Sequence, residues 1–307
     1  MSIAIDMFIK CMLTTTEFTD YFSIPLHGKS CKEASLYLTR GRHLRMLRYL
    51  TTAEAMNIMT QKERFLSVYG REFVKRDWLF ISEATTNEDI SSLVKNHPQF
   101  IAKPQKMNAG RGIELVDSAG HDGTDSLLLY LKIKNLTLLE ERVSNHEVLA
   151  KFSVASLNTI RMLALRHPDG IKILYALLRF NTKGAIADNI AAGGLGCLID
   201  PETGKIINGV MDKHGEEFFV PEHPFGFNVV GMEIPFWKEA VELVEKATLF
   251  LPNLCHVPWD IAITPEGPLI IEGNVLAGHG FQKYTGKPAF KDMKIAYDYA
   301  KKLRKGR

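Results

Sequence analysis

Val257-Pro258-Trp259-Asp260-Ile261-Ala262-Ile263-Thr264, then Pro265-Glu266-Gly267-Pro268, then Leu269-Ile270-Ile271-Glu272-Gly273-Asn274, is the stretch on which the fold turns. Two apolar runs flank a Pro-Glu-Gly turn, which predicts an antiparallel hairpin over residues 259–264 and 268–272. Asp260 and Glu272 interrupt those runs, and a carboxylate in apolar surroundings is costly unless something pairs with it. Hairpin pairing puts the two acids side by side at one end of the sheet, with Asn274 two residues on and facing the same way. Two carboxylates and an amide oxygen suit Mg²⁺ held jointly with phosphates of a nucleotide. A salt-bridged surface hairpin is the alternative. It leaves the apolar setting and the Asp-Glu-x-Asn combination unexplained.

A second stretch points the same way. In Ile101-Ala102-Lys103-Pro104-Gln105-Lys106-Met107-Asn108-Ala109-Gly110-Arg111-Gly112-Ile113, a strand delivers a lysine, proline ends it, and a loop of small residues follows. Backbone N–H groups of such a loop can approach phosphate oxygens, and the lysine adds a point charge. Taken alone, an ordinary hairpin loop with an exposed lysine reads equally well. Two familiar phosphate motifs fail. Gly28-Lys29-Ser30 resembles the end of a P-loop, but position 23 is serine where glycine is needed. Gly110-x-Gly112 does not open a dinucleotide fingerprint, because position 115 is leucine and a strand follows.

Outward from these stretches, the first 70 residues read as mainly helical, with apolar and basic side chains at helical spacing over 31–50. Thr51-x-x-Glu54 and Thr60-x-x-Glu63 fit capping boxes, and Gly70 fits a C-terminal stop. Short apolar runs follow at 78–81, 100–102, 112–116 and 136–139. Longer strands are expected at 159–165 and 171–180, joined by His167-Pro168-Asp169-Gly170. Helices are expected over 233–251 and 289–302. Helices and antiparallel hairpins interleave without regular βαβ alternation, so the fold class is α+β.

The chain has 307 residues, 46% of them hydrophobic and 24% charged, which suffices for a real core and excludes low-complexity disorder. A net charge of +3 gives no field for nucleic acid. Cys11, Cys31, Cys197 and Cys255 lie far apart with no C-x-x-C pair, as expected of reduced thiols in a cytoplasmic protein. The start, MSIAIDMFIKCMLTTTEF, is apolar enough to imitate a signal peptide, but Asp6 and Lys10 interrupt it and no basic segment precedes it. No window is long and apolar enough for a membrane span. The basic tail from Lys301 reads as a solvated helix end rather than a lipid or polyphosphate contact.

At this point the sequence resembles the ATP-grasp superfamily, in its sugar-transfer-associated branch, over roughly residues 50–285. Lys62, in Met59-Thr60-Gln61-Lys62-Glu63, matches the family's early helical lysine, and Lys103-Pro104 with Gly110-x-Gly112 matches its strand lysine and phosphate-covering loop. Leu138-Leu139-Glu140-Glu141-Arg142-Val143 looks like the hinge strand that reads adenine, and Glu147 falls where the family binds ribose. Ser156-Leu157-Asn158-Thr159-Ile160-Arg161 resembles the branch's S-x-N-T-x-R signature, continued by Arg179, Asp188-Asn189 and Gly193-Gly194. The Asp260, Glu272, Asn274 set completes the order.

The resemblance implies two α+β lobes clasping ATP: a helical segment 1–50, a small lobe 51–135 with the phosphate loop, and a large lobe 136–307 with the metal site. It assigns ATP to Lys62, Lys103, Gly110, Gly112, Glu140, Glu141, Val143 and Glu147, and Mg²⁺ to Asp260, Glu272 and Asn274. Arg161 and Arg179 become the catalytic candidates, and Asn158, Asn189, Gly193 and Gly194 the substrate-binding ones. Arg161 and Arg179 could instead pair with surface acids, Asn158 could cap a strand end, and 188–194 could be an irregular turn. His223 and His279 read as structural or rim residues. Many members carry a Rossmann-like N-terminal domain that shapes the acceptor site, whereas here a mainly helical segment precedes Lys62. The expected activity is an ATP-dependent, ADP-forming carboxylate–amine ligase working through an acyl phosphate on small molecules, sugar-linked ones among them, as in polysaccharide tailoring. An ATP-dependent kinase and a non-catalytic nucleotide-binding partner protein are the alternatives.

Overall fold

The computed structural model describes residues 2–15, 17–24, 26–104, 111–213, 221–275 and 279–305. Two antiparallel sheets organise it. The first holds β1 (Trp78–Phe80), β2 (Gln99–Lys103), β3 (Glu114–Asp117) and β4 (Leu138–Glu141), in the order β1-β4-β2-β3. The second holds β5 (Thr159–His167), β6 (Gly170–Phe180), β7 (Leu195–Ile199), β8 (His256–Thr264) and β9 (Gly267–Gly273), in the order β7-β6-β5-β8-β9. The fold is α+β, as the sequence predicts.

The period-2 geometry of a strand decides what each sheet buries. On β2, Phe100 and Ala102 join Val116 and Leu139 against the helices Asn87–Asn96 and Gly123–Ile133. Ile101 and Lys103 therefore turn to the opposite face, together with Glu140, the cross-strand partner of Ile101. This sheet has one packed face and one that lines a cleft.

The second sheet is buried on both faces, which is why its strands read as near-continuous apolar runs. Ile160, Met162, Ala176, Leu178, Trp259 and Ile261 pack on one side, with the helix Trp237–Phe250. Trp259 donates from Nε1 to Thr248 on that helix, so the largest buried side chain keeps its polar atom satisfied. Leu163, Leu165, Tyr175 and Leu177 pack on the other side, with Leu50 and with Met293, Ala296 and Ala300 of the helix Phe290–Lys305. Arg161, Arg179 and Asp260 alternate onto that second side, beyond the end of its apolar cover.

Several boundaries differ from expectation for physical reasons. The 31–50 segment is two helices, Cys31–Ala34 and Arg40–Leu50. Thr52 rather than Thr51 caps the helix Ala53–Thr60, by accepting from the N–H of Ala55. Thr60 ends that helix, and Gln61 precedes Lys62–Tyr69 without a side-chain cap. Gly70 does not stop the chain. It stays right-handed, and a wider turn runs on until Lys75, whose N–H donates to the Gly70 carbonyl at 3.1 Å. The 233–251 helix begins only at Trp237, because Phe236 takes a left-handed conformation (φ 52°) after Pro235. Gly112 lies in a turn at φ 71°, ahead of β3. All four cysteines are free.

Candidate functional site

The hairpin that opened the sequence reading forms as expected, with Asp260 paired to Glu272 in register across β8 and β9. A bulge follows between Asp260 and Ile261, which bends the strand where the acids sit. The register of β5 then sets Arg161 directly opposite Asp260 on the other flank. The guanidinium grips both carboxylate oxygens, from Nε to Oδ1 and from Nη2 to Oδ2 at 2.7 Å. Arg179, on β6, reaches the same Oδ2 at 3.1 Å. Burial alone would raise the pKa of Asp260, but Arg161 and Arg179 override it and hold the carboxyl well below its usual range.

Glu272 goes the opposite way. Burial, and then the negative charge of Asp260 beside it, push its pKa up. The Asn274 side-chain amide donates to Asp260 at 3.3 Å and to Glu272 at 3.2 Å. An all-oxygen donor set with two crowded carboxylates fits a hard divalent cation, which relieves the repulsion that a proton on Glu272 otherwise relieves. Turning the Asn274 amide over presents its oxygen to the same point.

The facing wall comes from the first sheet. Glu140 is 2% exposed and lies between Arg76 and Lys103. Burial would raise its pKa, yet the two cations hold it down at about 2. Arg76 also donates to the carbonyls of Ile270 and Ile271 on β9, at 2.8 and 3.0 Å, so one side chain ties the two sheets together. Lys62 donates to the Pro104 carbonyl at 3.1 Å. Its pKa is lowered, by burial first and by neighbouring Lys103, against the opposing pull of Glu272.

A cleft of about 460 Å³ lies between these walls. It brings together Lys62, Lys103, Glu140, Glu141, Val143, Arg161, Arg179, Asn189, Asp260, Glu272 and Asn274, all singled out from sequence. Gly110 lies outside the described residues. Gly112, Glu147, Asn158, Gly193 and Gly194 are not on its wall. Glu147 is exposed at the start of the short helix Glu147–Ala150. Asn158 is wholly buried, donating from its side-chain amide to the Leu149 carbonyl and from its backbone N–H to Asn145 Oδ1 at 2.9 Å, so it fastens the start of β5. Gly193 (φ 97°) and Gly194 shape the loop behind Asp188 and Asn189: a Cβ on Gly194 would stand 2.4 Å from the Asp188 carbonyl oxygen. His223 is buried against Phe227 with Nε2 3.0 Å from the Phe152 carbonyl, and His279 pairs with Asp20.

Sequence reasoning passed over Arg76, and it quoted Thr159 and Asp188 within motifs without giving either a role. Asp188 accepts from the Thr159 N–H at 3.0 Å and from its hydroxyl, and sits 3.7 Å from Arg179. Burial pushes its pKa up, against the pull of Arg179. The signal for Arg76 was available: Glu140 interrupts an apolar run as Asp260 does, so it too demanded a buried cation.

Chemically, the cleft sets cationic side chains, Lys62, Lys103, Arg161 and Arg179 among them, around a paired-acid corner, an arrangement that suits a polyphosphate with a divalent cation. A family model described as sugar-transfer associated ATP-grasp matches residues 48–294. No curated relative matches the chain. Among solved structures, an N5-carboxyaminoimidazole synthetase from Staphylococcus aureus complexed with ADP is similar, with a TM-score of 0.51 and 10% identity over 81% of this chain and 54% of that one. The ATP-grasp ligase PsnB, complexed with minimal precursor, Mg and ADP, has a TM-score of 0.48 and 12% identity over 82% and 62%. The D-alanine-D-alanine ligase from Coxiella burnetii has a TM-score of 0.45 and 12% identity over 81% and 60%. This chain thus spans less than two thirds of the length of each of them. With a family match over most of its length, and the lysines, arginines and acids singled out from sequence gathered on one cleft, the chain belongs to the sugar-transfer associated ATP-grasp family.

Proposed function

We propose that the cleft joins a small-molecule carboxylate to an amine at the expense of ATP, through an acyl phosphate. The observation that carries this reading is the convergence of Lys62, Lys103, Arg161 and Arg179 with Asp260, Glu272 and Asn274 around one cavity. Lys62 and Lys103 offset the negative charge of the α- and β-phosphates. Asp260, Glu272 and Asn274 would hold Mg²⁺, which supplies charge neutralisation at phosphate oxygens.

A substrate carboxylate oxygen attacks the γ-phosphorus as the bond to ADP breaks, and the charge spreads over the equatorial oxygens. Arg161 and Arg179 would neutralise that charge and orient the carboxylate through the N–H donors left over from their contacts with Asp260 and Thr159. The amine then attacks the acyl carbon, the carbon–oxygen bond to phosphate breaks, and the amine proton passes to solvent. The tetrahedral oxyanion meets the same guanidinium groups. The two sheets serve as the two lobes of the grip, the first reaching past the expected boundary at 135 because β4 (Leu138–Glu141) pairs into it, and the family's sugar-transfer association supports a sugar-linked or polysaccharide-tailoring substrate.

Pairwise incubation with amino acids and uronic acids, reading ADP and phosphate release, tests the assignment. ADP and free phosphate released in equal amounts only when acid and amine are both present is the expected result. ADP release accompanied by a stable phosphorylated hydroxyl overturns ligation in favour of a kinase.

A further inference from the structure

The helix Ile3–Thr14 is inside out. Its polar residues point inward: Lys10 is 1% exposed, pairs with Asp6 at 2.7 Å and donates to the Leu26 carbonyl at 3.1 Å, while Thr14 is wholly buried. Tyr21 completes this buried polar knot by donating to Asp6. The outward face is apolar. Ile5, Phe8, Met12 and Leu13 are each more than half exposed, and Phe18 and Phe22 on the next helix, Phe18–Ser23, continue the surface. The charges that make the N-terminus look unlike an apolar anchor in sequence are thus the ones removed from its surface.

Charge around this face selects its partner. Residues 1–50 contain seven Lys and Arg against four Asp and Glu; with Lys10 inside and Arg40 paired to Glu17 five cations remain, while each of the four acids is engaged. Asp6 is in the knot, Asp20 pairs with His279, Glu17 pairs with Arg40, and Glu33 caps the Ser30 backbone. Exposed Arg45 meets Thr15, where the apolar helix ends, and exposed Arg48 follows one turn later on the helix Arg40–Leu50. Arg48 and Lys301 then gather over the Tyr49 ring, at 5.5 and 5.7 Å. An apolar face that runs into a basic, aromatic strip is complementary to an anionic lipid surface. Twelve residues make a helix only about 18 Å long, too short to cross a bilayer core of about 30 Å, so the mode is interfacial.

We propose that this face docks the protein on anionic lipid surfaces, with Phe8 and Met12 buried among acyl chains and Arg45 and Arg48 at the headgroups. The test is sedimentation of the full chain with vesicles of phosphatidylcholine alone and of phosphatidylcholine mixed with phosphatidylglycerol. Binding is expected to favour the anionic vesicles and to weaken as salt rises. Phe8→Ser/Met12→Ser is expected to lower the bound fraction by at least about tenfold, with an unchanged unfolding midpoint because both side chains already face outward. Arg45→Gln/Arg48→Gln is expected to abolish the preference for anionic vesicles while leaving the weaker apolar contact. Absence of vesicle binding, or equal binding by Phe8→Ser/Met12→Ser, overturns the proposal. So does a self-associated state that the same double substitution dissolves, which would assign the face to a second copy of the chain.

Discussion

Arg161 and Asp260 stand opposite each other on neighbouring antiparallel strands, and one guanidinium holds both oxygens of the carboxylate. The pair arises from register alone: 99 residues separate the two in sequence, yet β5 and β8 cannot pair as they do without bringing them together. It gives Asp260 a second task beside the one read from sequence. The acid keeps two arginines in place as well as standing beside Glu272.

Replacing Asp260 with asparagine should lower ATP turnover by at least about 100-fold. It preserves shape while removing the charge that orders Arg161 and Arg179. Steady-state ADP release with the wild-type substrate pair measures it, and full turnover by Asp260→Asn would exclude Asp260 from the site.

Arg161→Met leaves Asp260 buried with Arg179 as its remaining guanidinium. The loss of stability should be about 2–3 kcal/mol, below the range for a fully buried pair because Arg161 opens partly onto the cleft. Urea unfolding reads it. Arg161→Met/Asp260→Leu should recover much of the loss, since the orphaned charge is then gone as well.

Glu140 makes stability acid-sensitive. Its carboxyl falls from an ordinary 4.5 to about 2 in the folded chain, so the unfolded chain takes up the proton first as pH drops. The stabilisation is complete above pH 4.5 and is lost as pH falls toward 2, by about 3 kcal/mol. Unfolding midpoints across that window should be flatter for Glu140→Gln, which also starts lower because Arg76 and Lys103 lose their shared partner.

Glu272 carries the opposite sign. Its raised pKa means the folded chain holds the proton longer, so this group makes stability fall as pH rises from 4.5 through the folded value. Mg²⁺ should reverse that trend by favouring the ionised form, and its affinity should rise with pH over the same window. Thermal shift with and without Mg²⁺ measures both effects, and Glu272→Gln should remove both.

Gly194→Ala tests the loop behind the cleft. The new methyl group meets the carbonyl oxygens of Asp188 and Asn189 at 2.4 and 2.9 Å, so the backbone there must shift. Asp188 then moves relative to Thr159 and Arg179. A cost of about 1–3 kcal/mol is expected, together with a higher KM for the carboxylate substrate. An unchanged KM would detach this loop from substrate binding.

The sequence by itself determined the α+β class, the hairpins at 167–170 and 264–267, and the pairing of Asp260 with Glu272, because turn chemistry and period-2 alternation are local. It also marked Asp260 and Glu272 on the cleft wall, because charged residues in apolar strands are conspicuous, whereas Lys62, Glu140, Arg161 and Arg179 were marked by the family resemblance. It did not reveal the role of Arg76, whose partners Glu140, Ile270 and Ile271 lie far along the chain. Nor did it separate Asn158 and Glu147, one buried as a fastener and one exposed, from the residues that face the cleft. Helix amphipathicity told it even less at the N-terminus, where the apolar side of Ile3–Thr14 turned outward because Lys10, Asp6 and Tyr21 found one another inside. Which side of an element faces solvent depends on what it packs against. Only the tertiary structure decided that.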